Sequence, residues 1–201
     1  MIDQLWEWML QNWVEILGTV FGITYVFLSI KQNILTWLLG FITSALYIYV
    51  FFVSKFYADM GLQFYYVWIS IYGWIIWTRG KQTDHGREVL PVTRLSKALL
   101  PVLALISLLL WAVIYYILKE FTDSPIPVGD AFTTALSIVA TWMLARKILE
   151  HWLIWIVVDA VSLLLYLYKG LYPTSVMFVI YTLAAIWGFF EWKKEMLKIK
   201  A

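Results

Sequence analysis

The chain has 201 residues, 63% of them hydrophobic, 14% charged and 19% aromatic, with 13 Trp, no Cys and a formal net charge of +2. A soluble domain carries about a quarter charged residues, and no soluble core of this length could bury so much apolar side chain, so lipid is the solvent this composition fits. The lack of cysteine excludes disulfides and thiolate metal sites. With only His85 and His151 a histidine-rich metal site is not expected, and the net charge is too small to suggest a nucleic-acid surface.

A spanning helix needs roughly 20 mostly apolar residues, and about 17 suffice. The first ten residues carry Asp3 and Glu7 but no Lys or Arg, the reverse of a cleavable signal peptide. Seven spans come after them, near residues 13–30, 34–53, 60–78, 98–118, 129–145, 152–168 and 174–190. Lys31-Gln32-Asn33 separates the first two, and the longest polar stretch, 79–97, separates the third from the fourth. Pro125 and Pro127 block helix continuation before the fifth span. The whole chain, 1–201, therefore reads as a single transmembrane domain.

Seven spans put the termini on opposite sides. One side then holds Lys31, Arg79, Lys81, Arg87, Arg94, Lys97, Arg146, Lys147, Lys193, Lys194, Lys198 and Lys200, twelve of the 15 cations; the other holds Lys55, Lys119 and Lys169. Short cytoplasmic loops collect Lys and Arg, which places the N-terminus outside and the C-terminus inside.

The chain also matches itself at an offset of 115 residues without a gap. Trp37 meets Trp152, Tyr66 meets Tyr181, Gly73 meets Gly188, Trp77 meets Trp192, Glu15 meets Asp130 and Lys31 meets Arg146. The offset equates spans one to three (13–78) with spans five to seven (129–192) and leaves span four (98–118) alone. Both halves begin outside, so they are parallel repeats, an arrangement that in transporters places substrate near the midplane between the halves. Any duplicated helical bundle would give the same pattern, so the repeat alone favours transport only slightly.

Steps of three and four residues put polar and aromatic side chains on one face of three helices. Span two carries Trp37, Gly40, Thr43 with Ser44, and Tyr47; span three carries Gln63, Tyr66 and Ser70; span six carries Trp152, Trp155, Asp159, Ser162 and Tyr166. Asp159 is the most informative, because a carboxylate at that depth costs about 2.5–3.5 kcal/mol on insertion scales. It reads as a contact to a cation or polar ligand, against the plainer reading of a helix–helix hydrogen bond. Gln63 divides evenly between ligand contact and helix glue. Trp37 and Trp152 lie near span ends, where interface anchors belong, while Trp155, one turn deeper, is the better stacking wall for a cationic ring. Glu15 and Asp130 suit helix N-termini, and Gly73 and Gly188 suit close packing. A P-loop and a Ser/His/Asp constellation are both missing, and Asp159 has no evident acid–base partner, so an enzyme is the remote reading and a subunit without substrate a third.

The run Ile71-Tyr72-Gly73-Trp74-Ile75-Ile76-Trp77 with Gln63, the run Glu150-His151-Trp152-Leu153-Ile154-Trp155, and Tyr168-Lys169-Gly170-Leu171-Tyr172 resemble the Pnu family of bacterial vitamin facilitators over about residues 15–192. The resemblance implies an all-α integral membrane protein of seven helices in a 3+1+3, SWEET-like bundle. It implies facilitated diffusion of a water-soluble vitamin across the bacterial inner membrane, with no cofactor, and trapping of the product by a cytoplasmic vitamin kinase. Family members that look like nicotinamide riboside carriers have Asn at the positions matching Thr43, Ser70 and Asp159, and Gln at that matching Gln63. This chain keeps only the Gln. A carboxylate beside Trp155 can counter the charge of thiamine and accept from its aminopyrimidine, so the expected substrate is thiamine, with nicotinamide riboside the alternative.

Overall fold

In a computed structural model of the protein, residues 13–53, 57–83, 86–88, 90–168, 170 and 172–198 are described. Asp3, Glu7, Lys55, His85, Lys169 and Lys200 lie outside them, as does the side chain of Glu15. Seven helices are present among the described residues: α1 (Trp13–Ile30), α2 (Leu35–Val53), α3 (Tyr57–Arg79), α4 (Leu99–Phe121), α5 (Pro127–Ala145), α6 (His151–Tyr168) and α7 (Tyr172–Lys198). The stretch expected to be a plain polar connector contains a short antiparallel hairpin, β1 (Lys81–Thr83) with β2 (Gly86–Glu88), in which Gln82 faces Arg87.

By length and composition four helices, α4 to α7, are able to cross a membrane; the described apolar parts of α1 and α2 are shorter. Helix α3 falls outside this group because of Gln63 and because Tyr65, Tyr66, Trp68, Tyr72, Trp74 and Trp77 count as weakly apolar on transfer scales, although such side chains are at home near membrane interfaces. The α4 surface needs lipid most plainly. Only Leu103 on it is buried, while Leu100, Leu105, Leu108, Leu109 and Val113 are exposed. In water an apolar surface of that extent would drive aggregation.

Helix α7 runs eight residues beyond the expected end at Phe190. Its last turns are amphipathic: Trp192 and Met196, four apart, are buried, while Lys193 and Lys194 face outward and Lys198 pairs with Glu195 at 3.2 Å.

The chain divides into two compact units, Met1–Ile71 and Tyr72–Ala201. In the first, α1, α2 and the start of α3 meet at Gly40. A Cβ there would lie 3.0 Å from Ser70 Oγ and 3.3 Å from Tyr25 Cε2, so glycine admits the close approach. In the second, α5 is the most buried helix, lined by Ala131, Ala135, Ser137, Ala140, Thr141 and Ala145, and small residues of this kind let membrane helices pack closely. Leu103 of α4 packs with Val139, Met143 and Ile148. The segment before α4 is fastened to the α5–α6 turn. Thr93 N–H donates to the Lys147 carbonyl (2.9 Å), Leu149 N–H to the Thr93 carbonyl (2.8 Å) and Leu95 N–H to Glu150 Oε2 (2.7 Å), and Arg94 pairs with Glu150 at 3.4 Å.

The same helix-ending turn occurs in both units. Gln32 and Lys147 adopt left-handed backbone, φ 52° and 50°. Gln32 N–H donates to the Ser29 carbonyl and Asn33 N–H to Leu28; Lys147 N–H donates to Leu144 and Ile148 N–H to Met143, all at 2.9–3.0 Å. These are the paired bonds of a Schellman cap, and every residue of one recurs 115 positions later in the other. The next helix then starts alike, with Thr36 N–H on the Asn33 carbonyl and His151 N–H on that of Ile148.

Candidate functional site

In the first unit the α2 stripe is turned slightly from the expected one. Trp37 and Ser44 are buried, at 1% and 5% exposure, whereas Thr43 is half-buried. Thr43 Oγ1 donates to the Leu39 carbonyl of its own helix at 2.8 Å. Ser44, beside it, is the more buried of the two hydroxyls. Tyr47 is half-buried one turn further on. On α3, Gln63 and Tyr66 are half-buried and Ser70 is buried against Gly40; the Tyr65 and Tyr66 rings lie 5.5 Å apart.

In the second unit Trp152, Asp159 and Ser162 are buried, Trp155 and Tyr166 half-buried. Tyr166 stacks on Phe178 at 5.1 Å. Asp159, 5% exposed, has no hydrogen-bond or ion-pair partner among the described residues. The helix–helix hydrogen bond that would explain it structurally is not made, and a buried carboxylate without a partner is costly. Its counterpart at the 115-residue offset is Ser44, equally buried. The stripes Trp37, Gly40, Ser44, Tyr47 and Trp152, Trp155, Asp159, Ser162 coincide position by position at that offset.

Trp152 is not a headgroup anchor, since it is 4% exposed and enclosed. A Cβ on Gly188 would lie 2.7 Å from its ring; the Trp192 ring meets it edge-on at 5.7 Å and the His151 ring at 4.5 Å. Trp37, at 1%, is no anchor either. His151 is fully buried, its Nδ1 2.7 Å from the Ile148 carbonyl and its ring 4.7 Å from that of Trp192. Nearby, Trp77 Nε1 donates to the Ala145 carbonyl, and Lys147 Nζ sits 4.5 Å above the Trp77 ring. Burial lowers the Lys147 amine from 10.5 to about 8, while the ring face beneath it favours the charged form. Composition gave no sign of this aromatic cluster. Asp130 lies in the first turn of α5 and accepts from Ser124 Oγ at 2.7 Å, the helix N-terminal placement expected for it. Among the described residues no group of three acids or histidines could hold a metal.

Apolar helices that need lipid, with a buried acid and aromatic walls set along them, define a multi-pass membrane transporter. Comparison with known proteins agrees. Residues 12–194 match the family model described as nicotinamide mononucleotide transporter. The chain belongs to that family, the Pnu family of the resemblance. It is 26% identical to the nicotinamide riboside transporter PnuC of Escherichia coli (strain K12), over 90% of this chain and 85% of the relative. It is also 26% identical to the riboflavin/roseoflavin transporter RibM of Streptomyces davaonensis, over 90% of this chain and 84% of the relative. A crystal structure of the vitamin B3 transporter PnuC matches with a TM-score of 0.74 and 25% identity, over 98% of this chain and 87% of that one. These relatives are transporters and not enzymes.

Proposed function

We propose that this protein carries a water-soluble vitamin into the cell by facilitated diffusion, and that the vitamin is nicotinamide riboside. The observation that carries the reading is Asp159, a buried carboxylate with no protein partner among the described residues, one turn from the aromatic face of Trp155. A cationic aromatic ring answers both groups, through its charge and through its π face. Nicotinamide riboside has such a ring, and PnuC relatives are named for it. Those names outweigh the preference for thiamine drawn from the replaced amides. Thiamine remains the second reading because Asp159 also suits its charge and its amine. Riboflavin is neutral and gives the carboxylate nothing to balance, although RibM is named for it.

The candidate contacts within the first unit are Trp37, Thr43, Ser44, Tyr47, Gln63, Tyr66 and Ser70; those within the second are Trp155, Asp159, Ser162 and Tyr166, with Trp152 holding Trp155's helix in place. The fold is the seven-span, 3+1+3 arrangement in the inner membrane, the C-terminus cytoplasmic where most cations lie, and a cytoplasmic kinase traps the product. The recurrence of the Schellman turn at offset 115 supports the repeat.

The test is calorimetric titration of the purified protein with nicotinamide riboside, thiamine and riboflavin. The expected result is binding of nicotinamide riboside, weakened about 10- to 100-fold in Asp159→Ala, the size of a lost charge-assisted contact. Binding of riboflavin alone, or equal binding by Asp159→Ala, would overturn the reading.

A further inference from the structure

The Gly40 crossing in the first unit holds a residue that the stripes on α2, α3 and α6 do not include. Tyr25 of α1 fills the space left by the missing side chain of Gly40, with Cε2 3.3 Å and Cδ2 3.8 Å from where a Cβ would be, beside Ser70 Oγ at 3.0 Å. Tyr25 is half-buried. It therefore adjoins the Gly40 crossing, where Ser70 of the proposed site also lies.

The offset of 115 shows what this arrangement replaces. Tyr25 corresponds to Ala140 and Gly40 to Trp155. In the first unit the large aromatic comes from α1 and the small residue from α2. In the second the small residue, Ala140, comes from α5 and is fully buried, and the large aromatic, Trp155, comes from α6. All four positions lie four or five residues from the ends of their helices at the Schellman turns, about 7 Å along the axis. One aromatic is kept at this level in each unit while the helix that supplies it is exchanged.

We infer that Tyr25 is a substrate-contacting residue, the first unit's counterpart of Trp155 at the 115-residue offset. The inference rests on the transport reading above. Gly40 acts by position only, keeping the Tyr25 ring and Ser70 where they are.

The chain has no cysteine, so Tyr25→Cys and Trp155→Cys each introduce one unique thiol into an otherwise unreactive protein. The full-length variants in proteoliposomes are labelled with methyl methanethiosulfonate, with and without saturating nicotinamide riboside. The expected result is that substrate slows labelling of both by about tenfold. Labelling of Tyr25→Cys at an unchanged rate while Trp155→Cys is protected overturns the inference and leaves the transport reading standing. Absence of any binding by the wild-type protein overturns both.

Titration and uptake supply a second measurement should the cysteine variant fail to fold. Tyr25→Phe keeps the ring and is expected to bind within about twofold of wild type. Tyr25→Leu is expected to raise KM about tenfold with the maximal rate unchanged, the size of one lost aromatic contact to a cation in a dry site. A Tyr25→Leu protein with wild-type KM overturns the inference as well.

Discussion

Gly188→Ala probes the contact that seats α6 on α7. The new methyl carbon would lie 2.7 Å from Cε2 and Cζ2 of Trp152 and 2.8 Å from Cη2, against an optimal carbon–carbon separation of about 3.5–4.0 Å. The indole has little room to retreat, because it is 4% exposed and bounded by the His151 and Trp192 rings. Overpacking of this kind costs about 1–3 kcal/mol. Alanine regains about 0.8–1.0 kcal/mol of helix propensity over glycine, and because three ring atoms lie within 2.8 Å the overpacking belongs in the upper half of its range, about 2–3 kcal/mol, so a net loss of about 1–2 kcal/mol is left. For a chain of this size that is a fall in apparent Tm of roughly 2–8 °C. Heating in detergent while monitoring intrinsic tryptophan emission measures it. In a Trp152→Phe background, where the outer ring is gone, the same substitution is expected to cost about half as much or less. An unchanged or raised Tm for Gly188→Ala would refute the reasoning, since it would mean that the α6–α7 crossing opens freely.

The geometry sets three further expected outcomes. Glu150→Ala strands the Leu95 N–H and is expected to lower stability by about 1–3 kcal/mol, Glu150→Gln by less, and Arg94→Ala, whose side chain is 61% exposed, by under about 1 kcal/mol; thermal melts of the three rank them. Burial holds the Lys147 amine at about 8, so between pH 8 and 10.5 the unfolded chain binds more protons than the folded one. Stability is therefore expected to climb with pH across that window and to flatten in Lys147→Met, as melts at stepped pH would show. Uptake of a cationic substrate into proteoliposomes is expected to respond to an inside-negative potential, by about 2.3 kcal/mol per 100 mV. Equal accumulation with and without a potassium diffusion potential would show that the transported species is uncharged.

The helices were legible because hydropathy blocks of spanning length leave the backbone little choice in lipid. The end of α7 was not, because Trp192 and Met196 prolong the helix through packing that a hydropathy window ignores. The two Schellman turns were hidden because Gln32 and Lys147 stand where glycine usually marks left-handed backbone. The hairpin at Lys81–Thr83 and Gly86–Glu88 was hidden by its polar composition. Within the site, Asp159 announced itself, since no lipid-facing role suits a carboxylate. Thr43 and Ser44 could not be told apart by residue type, because one residue turns a helix face by about 100° and both are small hydroxyls. Gly40 could be read as part of a stripe, but which ring it admits is a three-dimensional fact.

The outward apolar face of α4 bears on how the protein is made. A nascent segment this hydrophobic partitions from the translocon into the bilayer by itself, whereas α3, with Gln63 and its many Tyr and Trp, gains far less from lipid and depends on neighbouring segments to stay there. On that count α4 is the segment that needs least help from the rest of the chain to enter lipid, and α3 the one that needs most.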